Sequence, residues 1–502
     1  MITRRSVLAG GAVLLTGGAI YASAAGQAAG PMVDTENRST LRTPPLIDAT
    51  ETGEFRITAQ SGTTRFFQGG TAETIGFNQA YLGPVVRIRK GQLRPIVENG
   101  LTWPVSAHWH GLLVPGEHDG GPQLPVRPGE VWAPDMEIVQ EPCTAFFHTH
   151  IHGRTARDVY SGLAGVLHVA DDRDRDRELP ETYGVDDLTL LLQDRRFSQD
   201  GQLLYANSMM DIMHGMTGDT MVVNGQVGAV AAVPKAVVRL RLINGSNARI
   251  FSLFASDDRP MHLIATDGGY LAKPVALEKL RLGPGERAEI LIDFSDGRSM
   301  SLMSDGDPNQ GMGGMMGRAR GLLDGITGGR RFEVLPLRVD DRLAAKVTRI
   351  SDALGGQQPG PANVAISGMR RFSLDMGMGG GMMGRGGMGG GMMGGMAINE
   401  QPFDINTINE RVRLGDAEKW VINTSMLAHP FHVHGVSFQV IRENGKDPRP
   451  ENLGWKDTVV VDSETELLVQ FTQPASEEAP FMYHCHILEH EDAGMMGQFT
   501  VS

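Results

Sequence analysis

Cysteine is scarce: 502 residues include only Cys143 and Cys485. The two could pair in an oxidising compartment. Against that, Cys485 stands among histidines in "YHCHILEH", and Cys143 lies in the apolar stretch "QEPCTAFF", where a buried free thiol is expected. Basic runs are also missing and the net charge is −13, which excludes a nucleic-acid partner. The run "DDRDRDRE" (171–178) mixes both signs and reads as a solvated loop. Past the N-terminus no segment is apolar enough to span a membrane. Long amphipathic helical periods are scarce, which argues against a helical fold.

The N-terminus reads as an address. "TRRSVLAGGAVLLTGGAI" pairs Arg4 and Arg5 with a short, glycine-diluted apolar stretch, and "YASAAGQAAG" offers small residues for cleavage. This is the pattern of a twin-arginine export signal over about residues 1–25, which carries folded proteins to the periplasm. No stable membrane insertion is expected after cleavage, and the mature protein is expected to be a monomer.

What is abundant is short β-rich runs broken by glycine and proline: "PVVRIRKG", "AGVLHVA", "LTLLLQD", "AVVRLRLING", "AEILIDF", "KWVINTS", "FQVIREN" and "TELLVQFTQP". Many short strands with frequent turns predict Greek-key β-sandwiches. Hydrophobic content of 41% and charged content of 21% suit globular domains with real cores. The mature chain divides into three stretches of sandwich size, 40–172, 180–340 and 365–502. Within the last, "MGMGGGMMGRGGMGGGMMGGM" (376–396) holds 12 Gly, 8 Met and one Arg, and a smaller echo stands at 310–318. So much glycine disfavours a helix, at about 1 kcal/mol per residue relative to alanine, and predicts a surface loop.

Ten of the fifteen histidines fall in four short motifs. These are "HWHG" (His108, His110), "FHTH" (His148, His150), "HPFHVHG" (His429, His432, His434) and "HCHILEH" (His484, His486, His490). In a strand, residues i and i+2 share a face, so H-x-H offers two imidazoles to one side. One such pair is weak; two in each terminal third and none in the middle are not chance. If 484–486 is extended, Cys485 faces one way and His484 and His486 the other, so one short segment can serve two metal centres. Cys485, His490 and His429, with Met495 as a weak axial ligand, make a set suited to blue copper. The other eight motif histidines would surround an all-imidazole centre. Structural zinc wants four closed ligands rather than a set divided this way.

The four motifs, in this order and spacing, resemble those of the multicopper oxidases. So do "HWHGLLVPGEHDGGPQ", "GLAGVLHV", "GDTMVVNGQ", "RLRLINGSNAR", "ATDGGYL", "GWKDTVVV" and "HCHILEHEDAGMM", over nearly the whole mature chain. The nearest resemblance is to the periplasmic copper-efflux, or cuprous, oxidases. It implies an all-β chain of three cupredoxin-like Greek-key sandwiches with four copper ions. Type 1 copper would take His429, Cys485, His490 and Met495. Type 2 would take His108 and His434, and the type 3 pair His110, His148, His150, His432, His484 and His486. It also implies roles for two carboxylates beside the cluster: Asp119, in "GEHDGG", and Glu491 as a proton relay. The middle third would be a spacer that helps hold the architecture.

The resemblance implies one-electron oxidation of Cu(I), in copper detoxification, coupled to reduction of O2 to water. The Met-rich segment, whose thioethers suit Cu(I), agrees with that. Yet positions that bind substrate copper in that subfamily are Leu374, Gly379, Ser425 and Leu427 here, none a good ligand. Asp375, Met376, Met378 and Met426 lie nearby as substitutes. The alternative is a laccase-like oxidase of phenols or other organic donors. A further alternative is a non-enzymatic cupredoxin scaffold of the cell-division type, whose known examples lack the ligands. A copper nitrite reductase is a poorer fit, being usually a shorter, two-domain chain.

Overall fold

The computed structural model describes residues 37–502 apart from 172, 174–175, 206–207, 307–330, 357–363, 377–395 and 425–426. The export segment, the interior of the Met/Gly run, its echo, Met378 and Met426 therefore lie outside the described residues. Each stretch read as β coincides with a strand, from Val85–Arg89 to Thr465–Gln470. The chain is all-β and cupredoxin-like: the strands build six sheets that stack in pairs. Strands between Leu46 and Ala170 form a four- and a five-stranded sheet, those between Asp187 and Val339 a seven- and a five-stranded sheet, and those between Gly368 and Val501 a six- and a five-stranded sheet. Between the sheets of each pair lies one apolar core, centred on Phe55, Val97 and Trp109 in the first, Leu240, Phe251 and Ile290 in the second, and Phe372, Trp420 and Phe499 in the third. Burying such side chains contributes about 1.5–3 kcal/mol each, which holds every sandwich rigid behind its edge strands.

The sandwiches also pack on one another. Tyr81 and Phe146 of the first meet Leu191 and Ile243 of the second in a shared apolar layer that also takes in Leu488. The strand Val237–Asn244, "VVRLRLIN", is buried at every position. Its arginines have buried partners, and Arg241 reaches across to the first sandwich. Arg241 donates to Asp187 at 2.8 Å, to Glu289 at 3.0 Å and to Thr144 Oγ1 at 3.1 Å, while Arg239 donates to Glu289 at 2.8 Å. The 171–178 run departs from a plain solvated loop in the same way: Arg177 is buried, lies over the Tyr270 ring and donates to the Leu354 carbonyl at 2.8 Å.

Three short helices matter for the site: α1 (Thr155–Ser161), α2 (Met209–His214) and α3 (Leu488–Asp492). Both α1 and α2 pack on α3. Asp492 accepts from the Thr155 and Ala156 amides at 3.1 and 2.9 Å, satisfying two amides that a helix start leaves open. Glu489 accepts from Tyr205 Oη, the Met216 amide and Asn247 Nδ2 at 3.2, 2.9 and 2.8 Å. The other two sandwiches thus clamp α3 of the third. Among the described residues, no helix is long and apolar enough to cross a membrane.

Candidate metal centre

The strand Phe481–Cys485 lies between His429–Val433 and Met496–Val501, with His432 opposite His484 and Phe431 opposite Cys485. This register, with the period of two, divides the segment as its sequence suggests. Cys485 points into the core of the third sandwich, beside Phe431, Ile487 and Met495. His429 Nδ1 lies 3.3 Å and His490 Nδ1 3.7 Å from its Sγ, and the two Nδ1 atoms are 3.3 Å apart. His490 arrives on α3, and Met495 follows that helix with its amide donating to the His490 carbonyl at 2.9 Å. The Cys485 sulfur and both imidazoles therefore converge, all of them fully buried, with the Met495 side chain in the same cluster.

On the opposite side, where the first and third sandwiches meet, the other eight histidines form one continuous cluster. His108 Nε2 lies 3.4 Å from His432 Nε2, His150 Nε2 3.3 Å from His484 Nε2, and His434 Nε2 3.1 Å from His484 Nε2. Their ligand atoms group as His108–His110–His148, His108–His432–His434 and His150–His434–His484, each within 4.8 Å. His486 completes the ring, its centroid 4.9 Å from that of His110 and 5.3 Å from that of His148.

Carboxylates stand at the outer edges of these rings. Asp119 Oδ2 lies 2.7 Å from His434 Nδ1 and 3.2 Å from His108 Nδ1, and the Asp119 carbonyl accepts from His108 Nδ1 at 3.0 Å. Both rings are thereby fixed with Nδ1 protonated and Nε2 turned to the cluster. Glu491, fully buried, holds its oxygens 3.6 Å from His150 Nδ1 and 3.4 Å from His484 Nδ1. Burial pushes its carboxyl well above the ordinary carboxylate range. A third carboxylate, Asp457, was not singled out by the motifs: it lies 3.0 Å from His110 Nε2 and 3.5 Å from His432 Nδ1. Burial pushes it up, but Arg287 and His110 hold it well below the ordinary carboxylate range.

Do these residues fit copper? Burial lowers nine of the ten histidines, His429 to about 4, so they are neutral imidazoles with a free lone pair. His110 Nδ1, His148 Nε2 and both ring nitrogens of His486 are buried without a hydrogen-bond partner. An imidazole so placed is costly unless a metal takes its lone pair. Burial also pushes the Cys485 thiol up, so a thiolate there needs a cation beside it. The donor set fits copper at both sites.

The other expectations fall as follows. Cys143 is buried and free, with Gln140 Nε2 donating to its sulfur at 3.3 Å and its thiol pushed up to about 12 by burial. Asp375 accepts from Ser373 Oγ at 2.5 Å and from the Glu400 amide at 3.0 Å, so it ties a turn rather than facing a ligand. Met376 packs on the third core, opposite Met396 across an antiparallel pair. The middle sandwich is more than a spacer: it brings Gly285 and Arg287 against the histidine cluster. In "GPGERAEI" only the glycines hinted at a close approach.

Three family models, each described as multicopper oxidase, match residues 58–174, 186–308 and 380–502. The chain is 36% identical to the cell division protein FtsP of Xenorhabdus nematophila, over 92% of each chain. It is 35% identical to FtsP of Escherichia coli, over 100% of this chain and 99% of that one. A solved structure of a laccase-like multicopper oxidase, CueO from a lignin-degrading Ochrobactrum, superposes with a TM-score of 0.82 at 39% identity. That match covers 92% of this chain and 100% of the other, whose described activity is toward lignin model compounds and lignosulfonate. These relatives correct one expectation. Full-length relatives named for cell division overturn the reading of a cuprous oxidase serving copper detoxification, and they speak for the further alternative, a protein of the cell-division type. The physical ground for that reading is also weak: Leu374 is buried apolar core and Asp375 is engaged in its turn.

Proposed function

Because the chain belongs to the multicopper oxidase family, we propose that it is a laccase-like copper oxidase, exported to the periplasm, that takes single electrons from small phenolic or other aromatic donors with O2 as acceptor. The observation that carries this reading is the complete donor set: Cys485 with His429 and His490 on one side, and eight converging histidines on the other. Four ions are expected: Cys485, His429, His490 and Met495 would hold one, and the eight other histidines would hold three. Copper would supply the one-electron chemistry at the first site and the reduction of O2 at the second.

The chain's own residues provide entry, relay and protons. His490 faces the backbone of Ile212 and Met213 at the end of α2, whose Met209 and Met210 are 54% and 48% exposed. Polarisable thioethers there suit an aromatic ring, so we place the donor on α2. From Cys485 the route inward is the backbone to His484 and His486, one residue away on either side. Glu491 stands where a proton can pass to the cluster, and Asp119 orients His108 and His434. The test is O2 uptake by the copper-loaded protein with a dimethoxyphenol. A blue protein that consumes O2 is expected, and exchanging Met209 and Met210 for glutamate should raise KM several-fold with the blue colour unchanged. A colourless copper-loaded protein, or one that consumes no O2, would sink the reading.

The full-length relatives named FtsP favour a second reading, a role in cell division. Complementing a deletion strain with Cys485→Ser separates the two. Restored division by a protein without the thiolate makes that role independent of the oxidase; failure makes the copper part of it.

A further inference from the structure

Arg287 belongs to the middle sandwich, at the start of the strand Arg287–Asp293, and its side chain is 1% exposed. Both arms of its guanidinium grip Asp457 of the third sandwich, Nη1 to Oδ1 at 2.7 Å and Nη2 to Oδ2 at 2.6 Å. Its remaining donors go to the carbonyls of Thr144, Gly285 and Asp267 at 3.1, 3.0 and 3.2 Å, so all five N–H groups are used. Asp457 Oδ1 then accepts from His110 Nε2 at 3.0 Å. Thr458 Oγ1 donates to that Oδ1 at 2.8 Å and accepts from His110 Nε2 and His432 Nδ1, both at 3.0 Å. The Asp457 carbonyl takes His432 Nδ1 as well, at 2.9 Å.

These bonds decide two tautomers. His110 keeps its proton on Nε2 and is left with Nδ1, which has no partner; His432 keeps its proton on Nδ1 and presents Nε2, 3.4 Å from His108 Nε2. A second feature points the same way. Gly111, the glycine of "HWHG", has φ +92, and a Cβ there would stand 2.3 Å from Arg287 Nη2 and 2.8 Å from Asp457 Oδ2. The ligand motif itself leaves room for the clamp.

We propose that Arg287 is a positioning residue for the histidine centre: by fixing Asp457 it sets which ring nitrogen His110 and His432 turn to the metal. The inference rests on the copper reading above. It gives the middle sandwich, which holds none of the ligands, control over a centre shared by the other two. Lysine cannot replace a planar fork whose donors are all engaged.

The test is a Cu(II) competition titration against a chelator, with the type 1 absorption and the EPR-visible share of bound copper read alongside. Arg287→Lys and Asp457→Asn should each weaken copper at the histidine centre about 10–100-fold, as loss of a partner behind a ligand usually does. The blue band should stay as in the parent. The double variant should be little worse than either single one, because both act through one chain of bonds. Thermal unfolding of the metal-free proteins separates positioning from folding: copper should raise Tm less in the variants than in the parent. If Arg287→Lys does not fold, Thr458→Val, which removes only the hydroxyl, carries the same expectation. A folded variant that binds copper with parental affinity and spectra overturns the role of Arg287. A parent that binds no copper among the histidines overturns instead the reading on which the role rests.

Discussion

Asp119 of the first sandwich and His434 of the third meet at 2.7 Å, carboxylate oxygen to ring Nδ1, across 315 positions of sequence. The same carboxylate reaches His108 Nδ1 at 3.2 Å, so one side chain orients both rings. Asp119→Asn keeps the shape but replaces an oxygen by an amide or an uncharged carbonyl. Copper held by His108 and His434 should weaken about 10–100-fold, while the type 1 absorption is retained. Copper stoichiometry and the type 2 EPR signal check this. Normal occupancy with slowed O2 uptake would assign Asp119 to proton delivery instead.

Cys485→Ser removes the sulfur that lies 3.3 Å from His429 Nδ1. Serine's hard oxygen does not replace it, so the blue colour and electron entry should both vanish. The eight histidines across the strand are untouched, and copper there should remain. A variant that keeps the blue band and oxidase turnover would refute the assignment of the type 1 site.

Much of this architecture was legible because it depends on local periods. His484, Cys485 and His486 divide between two centres by strand alternation alone, and the eight β-rich stretches announce themselves by composition. The features that escaped depend on packing between sandwiches. Arg239 and Arg241 alternate with apolar residues, yet every position of their strand is buried, Arg239 against Glu289 of its own sandwich and Arg241 also against Thr144 of the first. Asp457 stands in an ordinary "WKDTVVV", and nothing local says that Arg287 will meet it across 170 positions. Function was the least legible, since relatives with different names share the same frame.

The metal-free protein should lose stability in acid. Nine ligand histidines are held below their ordinary range by burial, His429 to about 4. As pH falls below about 6.5, the unfolded chain takes up protons that the folded one refuses, and stability declines with each such group until its own lowered range is reached. Seven carboxyl groups work in the other direction: burial raises Asp158, Asp186, Glu286, Glu451, Glu489, Glu491 and Asp492, the last to about 7, so they stabilise the fold while protonated and lose that contribution as pH rises. Nine against seven leaves the histidines ahead, and their ordinary range near 6.5 lies inside the window from pH 7 to pH 5. Tm of the chelator-stripped protein should drop between pH 7 and pH 5; a flat or rising Tm would show that the cluster is hydrated and titrates normally.

Gly285 gives the sharpest test of how closely the middle sandwich backs the histidine centre. Its φ is +81, and an added Cβ would lie 2.8 Å from His486 Cδ2 and 2.9 Å from His110 Cε1. Gly285→Ala therefore carries two costs, about 1–2 kcal/mol for a left-handed backbone with a side chain and about 1–3 kcal/mol for overpacking. Gly129 has nearly the same φ, +77, with nothing within 4 Å of its Cβ position, so Gly129→Ala carries the backbone cost alone. Both variants should lower Tm, Gly285→Ala further. Only Gly285→Ala should lose copper from the histidine centre, because only there does the methyl group push two ligand rings aside. The blue band, on the far side of the strand Phe481–Cys485, should survive in both. Equal copper content in the two variants would mean that the rings yield to the methyl group and that the turn at Gly285 does not shape the centre.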